Sequence, residues 1–215
     1  ESETKLNDKG ERIAIESGKS VEWMEEESYF FKLSAFQNKL IDYFTQHPDA
    51  IAPKSRYNEI MSFIKGGLQD LSISRTTFDW GVKVPNDPKH VMYVWIDALT
   101  NYLSALGYPD ETADVKNFWP EAIHMVGKDI QRFHAVYWPA FLMAAGIEPP
   151  KRVYSHGWLM AEDGRKMSKS FGNVIVPADF IDKFGLDQTR FYLLREIPFG
   201  QDGNIGYEGM KRRKN

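Results

Sequence analysis

Two lysines three residues apart, Lys166 and Lys169, sit in the stretch Gly164-Arg165-Lys166-Met167-Ser168-Lys169-Ser170-Phe171-Gly172. It is bounded by glycines and has no apolar periodicity, so it reads as a loop. An ammonium on a flexible stem can follow a phosphate that moves during a reaction. The hydroxyls of Ser168 and Ser170, and backbone amides freed by glycine, add neutral donors. Such a loop can gather the negative charge that develops on a departing pyrophosphate. The plainer alternative is a solvated basic surface loop.

Other residues of chemical interest lie upstream. Gly127-Lys128-Asp129 falls between an apolar run and a helical pattern. Glycine there lets a ligand approach the backbone, and Asp129 can accept from vicinal hydroxyls such as those of a ribose, or simply cap the helix. Ile130, His134 and Trp138 recur every four residues and share one helical face. With Trp95 and Tyr102 they supply a large, aromatic, lightly polar pocket suited to a flexible side chain carrying a thioether. A lone His on such a face serves equally well as a satisfied core residue. His156-Gly157, just before the lysine loop, is either a ligand contact or an ordinary strand end. The histidines are scattered, with no His–Glu–His helical spacing for zinc and no nucleophile elbow. There is no cysteine, hence no disulfide and no thiolate metal site.

These residues need elements to hold them. Residues 1 to 27 are polar, with short apolar alternations at 13–15 and 21–24, and predict a small β-ribbon. A helix is expected from Ser34, with Gln37 completing a reciprocal cap and Phe36, Leu40, Ile41 and Phe44 on one face. A second runs from about Ser55 to Ile64 and stops at Gly66-Gly67. The apolar run Val91–Ile96 predicts a buried parallel strand, followed by a helix from about Asp97 to Leu106. Ile123–Gly127 predicts another strand, and the helix after it carries Ile130, Phe133, Val136, Tyr137, Ala140, Phe141 and Ala144 on its stripe. Val153–Met160 predicts a third strand, and Pro177–Phe184 and Asp187–Arg195 two short helices. That alternation is the beat of an α/β fold with a doubly wound parallel sheet. Ligands of such sheets lie beyond the carboxyl ends of the strands, where Trp95–Asp97, Gly127–Asp129 and His156-Gly157 fall.

A length of 215 residues suits one large domain or one and a half. The net charge of -3 gives no bulk attraction to nucleic acid or membrane, so any polyanion contact must be local, at Arg165-Lys166-Lys169 or Lys211–Lys214. No apolar run approaches membrane-spanning length, and a cytoplasmic protein is the default expectation. The chain opens on Glu1 without an initiator Met and closes on a basic segment that reads as the first turns of a helix, so a piece of a longer polypeptide is expected.

Lys166-Met167-Ser168-Lys169-Ser170 is spelled like the KMSKS signature of class I aminoacyl-tRNA synthetases. Tyr93 with Trp95-Ile96-Asp97-Ala98, Gly127-Lys128-Asp129-Ile130, Phe133-His134, Trp138-Pro139-Ala140 and His156-Gly157 resemble the methionyl-tRNA synthetase family, in the right order along nearly the whole chain. Glu25–Ser34 and Leu71–Arg75 resemble it too. The resemblance implies three segments. Residues 1–70 would be the end of a connective-peptide insertion, 71–160 the second half of a Rossmann-like catalytic domain, and 161–215 the lysine loop with a helical segment leading to an anticodon-binding domain. It makes Trp95, Ala98, Tyr102, Ile130, His134 and Trp138 the walls of a methionine pocket. Gly127, Asp129, His156, Gly157, Lys166, Met167, Ser168, Lys169 and Ser170 would contact ATP, with Lys166 and Lys169 as the catalytic pair.

The activity so implied is methionine–tRNA ligation: adenylation of methionine by ATP, which brings Mg²⁺ with it, then transfer to tRNA(Met). Mostly positioning and electrostatics would drive it. No resident metal is implied for these residues; zinc would belong only to the rest of the parent protein. The family's His-Ile-Gly-His-type motif, zinc knuckle and anticodon-binding domain have no counterpart here. The fragment alone is therefore expected to be inactive, with an N-terminal half of the same enzyme as a partner. Two other readings stay open: a class I synthetase for another apolar amino acid, and a non-catalytic synthetase-like module that binds RNA or a protein.

Overall fold

The computed structural model describes residues 4–15, 20–21, 25–168 and 172–214. In chain order the strands and helices begin with β1 (Thr4–Leu6), β2 (Arg12–Ala14), β3 (Phe30–Phe31), α1 (Gln37–Gln46), β4 (Ile51–Ala52) and α2 (Lys54–Lys65). Then come β5 (Leu71–Ser72), β6 (Ser74–Arg75), β7 (Lys83–Val84), β8 (Asp87–Met92), α3 (Val94–Ser104), α4 (Ala113–Phe118) and β9 (Ile123–Gly127). The rest are α5 (Trp138–Ala144), β10 (Arg152–His156), β11 (Leu159–Met160), α6 (Pro177–Phe184), α7 (Leu186–Arg195), β12 (Gly203–Asn204) and α8 (Tyr207–Lys214). Among the described residues no helix is long and apolar enough to cross a membrane.

The chain forms two compact units, one of residues 1–30 and 72–93, the other of 31–71 and 94–215. Residues 31–71 belong with the later strands because the apolar faces of α1 and α2 need them. Leu33, Leu40, Phe44, Ile60 and Ile64 share one buried cluster with Val126, Val136 and Val153.

In the first unit, β1 and β2 form an antiparallel ribbon in which Arg12–Ala14, overlapping the alternation at 13–15, pairs with Thr4–Leu6. Residues 22–24 of the second expected alternation lie outside the described residues. β8 lies between β6 and β7 in an antiparallel sheet. The expectation of a buried parallel strand at 91–96 is corrected here. Val91 and Met92 close the antiparallel β8, while Val94 begins α3. A short apolar run of β-branched and aromatic residues fits a strand end and a buried helix start equally, and this run contains both. Trp95 therefore sits in the first turn of a helix and not at a strand end.

The parallel sheet lies in the second unit, in the order β4-β10-β9, with His156 opposite Gly127. The expected strand 153–160 is interrupted. β10 ends at His156, and β11 pairs instead with β12. The expected reciprocal cap at Ser34 and Gln37 is also absent. Ser34 donates both its amide and its hydroxyl to Asp70 Oδ1 (3.1 and 2.6 Å), and Gln37 Oε1 accepts from the Leu68 amide (2.8 Å). Asp70 and Leu68 lie just after α2, so these contacts tie the start of one helix to the segment following the next.

The helix after β9 is not uniform. It opens as a 3₁₀ turn at Lys128–Ile130 and widens to a π-turn at Phe133–Tyr137 before α5. Pro139 has no amide hydrogen to close the ordinary bond to Ala135, and the Trp138 amide reaches back five residues to the Phe133 carbonyl. Gly185, at φ 98, ends α6 and lets α7 start at once, and a third buried cluster of Phe180, Phe184, Tyr192, Ile205 and Met210 joins the last helices.

Candidate active site

The π-turn presents two successive aromatic residues to α3. Trp95 stacks on Phe133, with ring centroids 4.0 Å apart and planes 16° apart, and meets His134 edge-on at 6.0 Å. Two turns along α3, the Tyr102 hydroxyl lies 3.0 Å from His134 Nε2. On its other side, His134 Nδ1 is 3.0 Å from the Ile130 carbonyl oxygen. A carbonyl only accepts, so Nδ1 carries the proton, and in the neutral ring Nε2 is left to accept from Tyr102. The structure thus brings Trp95 and Tyr102 against His134, with Ile130 reaching it through its carbonyl, while the π-turn interrupts the four-residue spacing expected to continue to Trp138. Ala98 is exposed on the same face of α3. Trp138 is buried with Leu99, Leu103, Trp119 and Leu142, in a cluster against which Trp95 is partly buried.

Two residues of this wall escaped the sequence reading as site members. Phe133 is the surface on which Trp95 lies. His124, from β9, is buried and packs against Tyr102 at 4.1 Å. Its alternating place in a strand was the available signal, but a histidine on an inward position is indistinguishable there from any core residue.

The wall is uncharged near neutrality. Burial, and secondarily the neighbouring His134, push the His124 pKa down to about 4, and burial lowers that of His134 as well. Burial raises Tyr102, which stays a protonated donor. For His124 the folded value lies below the unfolded 6.5, so the unfolded chain binds more protons between those values. The stabilisation is full above about pH 6.5 and is lost as pH falls toward 4, by about 3 kcal/mol at one pKa unit per 1.36 kcal/mol. Urea-denaturation midpoints of the full-length parent should therefore fall steeply across this window, and His124→Phe should flatten the slope. An unaltered slope would remove His124 as its source.

The parallel strand ends assemble a second group. A Cβ on Gly127 would come within 2.5 Å of Asp129 Oδ1 and 3.4 Å of His156 Cε1, so these three residues are immediate neighbours. Gly127 occupies the N-cap position, which leaves exposed Asp129 within the first turn, not as its cap. At Gly157 a side chain is excluded by neighbouring backbone. A Cβ there would sit 2.0 Å from the Gln201 carbonyl oxygen and 2.6 Å from the Asp202 amide nitrogen. Gly157→Ala is therefore expected to displace the 201–203 segment and lower the thermal midpoint by many degrees, since backbone cannot yield as a side-chain tip does. A parent of normal stability would contradict this.

The lysine loop has a fixed root. Met160 bridges antiparallel to Lys166, and Gly164, at φ 78, turns the chain between them. Met167 packs against the third cluster, and Asn173 joins both sides of the loop, accepting from the Ser168 amide (2.8 Å) and donating to the Lys166 carbonyl (3.2 Å). Lys166 is exposed, its ammonium 4.7 Å from the centre of the Trp158 ring. Lys169 and Ser170 lie outside the described residues. Asn173 and Trp158 were not foreseen as site members, although Trp158 directly follows the His156-Gly157 pair.

A parallel sheet with a glycine turn and a carboxylate at its strand ends, an uncharged aromatic wall and a rooted lysine loop define a class. A family profile described as "tRNA synthetases class I (M)" matches residues 4–215, and the chain belongs to that family. The relatives point to its methionine branch. "Methionine--tRNA ligase" of Brucella suis is 58% identical over 215 residues, and that of Mesorhizobium japonicum 60% over 215 residues. Both alignments cover all of this chain and 41% of the relative, so the chain spans about two fifths of their length. The crystal structure of Mycobacterium tuberculosis methionyl-tRNA synthetase bound by methionyl-adenylate is similar, with a TM-score of 0.91 at 56% identity. That comparison covers 99% of this chain and 42% of the other.

Proposed function

We propose that this chain supplies the later part of the amino-acid activation site of a methionine–tRNA ligase. Methionine, ATP with Mg²⁺ and tRNA(Met) are its substrates, in the cytoplasm. The observation that carries the reading is the neutral wall of Trp95, Phe133, Tyr102 and His134, built on the same compact unit as the Gly127–Asp129–His156 turn and the rooted lysine loop. Uncharged aromatic edges suit a thioether side chain and supply no counter-charge for an ionised one.

In the proposed reaction, a methionine carboxylate oxygen forms a bond to the α-phosphorus while the bond to the β-phosphate bridging oxygen breaks. Pyrophosphate leaves with that electron pair. Trp95, Tyr102, Ile130, His134 and Trp138 hold the side chain, with Ala98 leaving room on α3. Asp129 accepts from ribose hydroxyls, Gly127 and Gly157 present backbone, and His156 lies at the adenosine side. Lys166 and Lys169, with Met167, Ser168 and Ser170 shaping their loop, gather the phosphates. A terminal ribose hydroxyl of tRNA then attacks the adenylate carbonyl and AMP departs. Residues 1–70 are proposed as the end of the inserted connective region and 161–215 as the passage toward the anticodon-binding part.

The test is ATP–pyrophosphate exchange by the full-length parent with each amino acid in turn. Methionine alone should support fast exchange, and the isolated 215 residues should support none. Faster exchange with another apolar amino acid would overturn the assignment.

A further inference from the structure

Trp158 joins the two parts of the phosphate side. Its indole has two ammoniums over it: Lys128 at 4.1 Å from the ring centre and Lys166 at 4.7 Å. Lys128 comes from the turn after β9 and Lys166 from the lysine loop, so one ring gathers cations from two separate elements. Each is attracted by the ring quadrupole, yet they repel one another. Asp202 offsets this. Its Oδ2 accepts from Lys128 Nζ at 2.5 Å, and its Oδ1 accepts from the Trp158 amide at 2.8 Å. The Lys128 side chain is mostly shielded from water, and its hydrogen bond holds the Asp202 carboxyl below the usual carboxylate range. The close approach of 201–202 to Gly157 holds that carboxylate at the Trp158 amide.

We infer that Lys128 is a further phosphate-binding cation, parked on Trp158 beside Lys166, and that the Asp202 carboxylate stands in for phosphate until the polyphosphate of ATP displaces it. The inference rests on the activation reading above. Trp158 and Asp202 are positioning residues in this scheme, acting with opposite sign. The indole preassembles two cations for the ligand, whereas the carboxylate competes with the ligand for one of them. A polyphosphate has the charge density to engage both ammoniums at once.

The opposition supplies the test, on the full-length parent, as the KM for ATP in methionine-dependent exchange at saturating methionine. Asp202→Asn keeps the acceptor for the Trp158 amide and removes the charge, and should lower the ATP KM several-fold. Trp158→Leu should raise it several-fold, and Trp158→Phe should restore most of the loss because a π-face returns. Methionine affinity without ATP should not move in any of them. Damaged folding does not tighten ATP, so the Asp202→Asn result is diagnostic. An unchanged or raised ATP KM in Asp202→Asn, or equal impairment by Leu and Phe at 158, would overturn the inference. Absence of methionine-dependent exchange in the unmodified parent would instead sink the activation reading.

Discussion

Lys166→Ala in the full-length parent is expected to slow methionine-dependent ATP–pyrophosphate exchange by roughly 10²-fold or more, the usual effect of removing one group aimed at developing charge. Methionine binding measured without ATP should be unaffected. The asymmetry follows from the loop's construction. Its root is held by the Met160–Lys166 bridge, by Asn173 and by Met167 in the third cluster, while the ammonium itself is exposed. Truncation at the β-carbon removes the charge and leaves those anchors in place. Loss of an interaction made chiefly with the departing pyrophosphate lowers kcat and kcat/KM together. Lys169→Ala provides the companion measurement, with the same direction expected. Equal losses in exchange and in methionine affinity would make the loop a structural part and not a chemical one.

The second large effect concerns Trp95→Ala, which should weaken methionine binding by about 3 kcal/mol, within the range of large aromatic truncations. That corresponds to a roughly 10²-fold rise in the dissociation constant. Trp95 covers Phe133 face to face at 4.0 Å and borders His134 at 6.0 Å, so its loss opens both to water. Isothermal titration of the parent with methionine measures this. Trp95→Phe should recover part of the affinity, and ATP binding should be unchanged. A wild-type dissociation constant in Trp95→Ala would place the tryptophan outside the pocket.

Much of the fold was legible because local signals agreed with tertiary ones. Glycines at 66–67, 146 and 185, and proline at 177, marked helix limits that the structure keeps. The strand Ile123–Gly127 and the helix Pro177–Phe184 appear with the bounds expected. Failures came where one apolar run served two elements, as at 91–96, or where a distant group decided the outcome. The cap at Ser34 failed for the same reason, since Asp70 offered a better acceptor than Gln37. In the site, the pairing of Ile130 with His134 followed from helical spacing, because one face of one helix is a local property. His124, Trp158 and Asp202 did not, because their roles depend on pairings between separate elements, Tyr102 with His124, Lys128 with Trp158 and Trp158 with Asp202, that no local pattern announces.

The interleaving of the two compact units bears on how the chain emerges from a ribosome. The first unit cannot close until residues 72–93 follow 1–30, and its halves are separated by α1 and α2, which belong elsewhere. Those helices in turn lack their apolar partners until Val126 and Val153 have been made. Leu40, Phe44, Ile60 and Ile64 thus wait, covered only by one another and their near neighbours, through most of translation of this stretch. Nascent chains arrested near residue 110 should accordingly recruit chaperones, and chains arrested well beyond residue 153 should not.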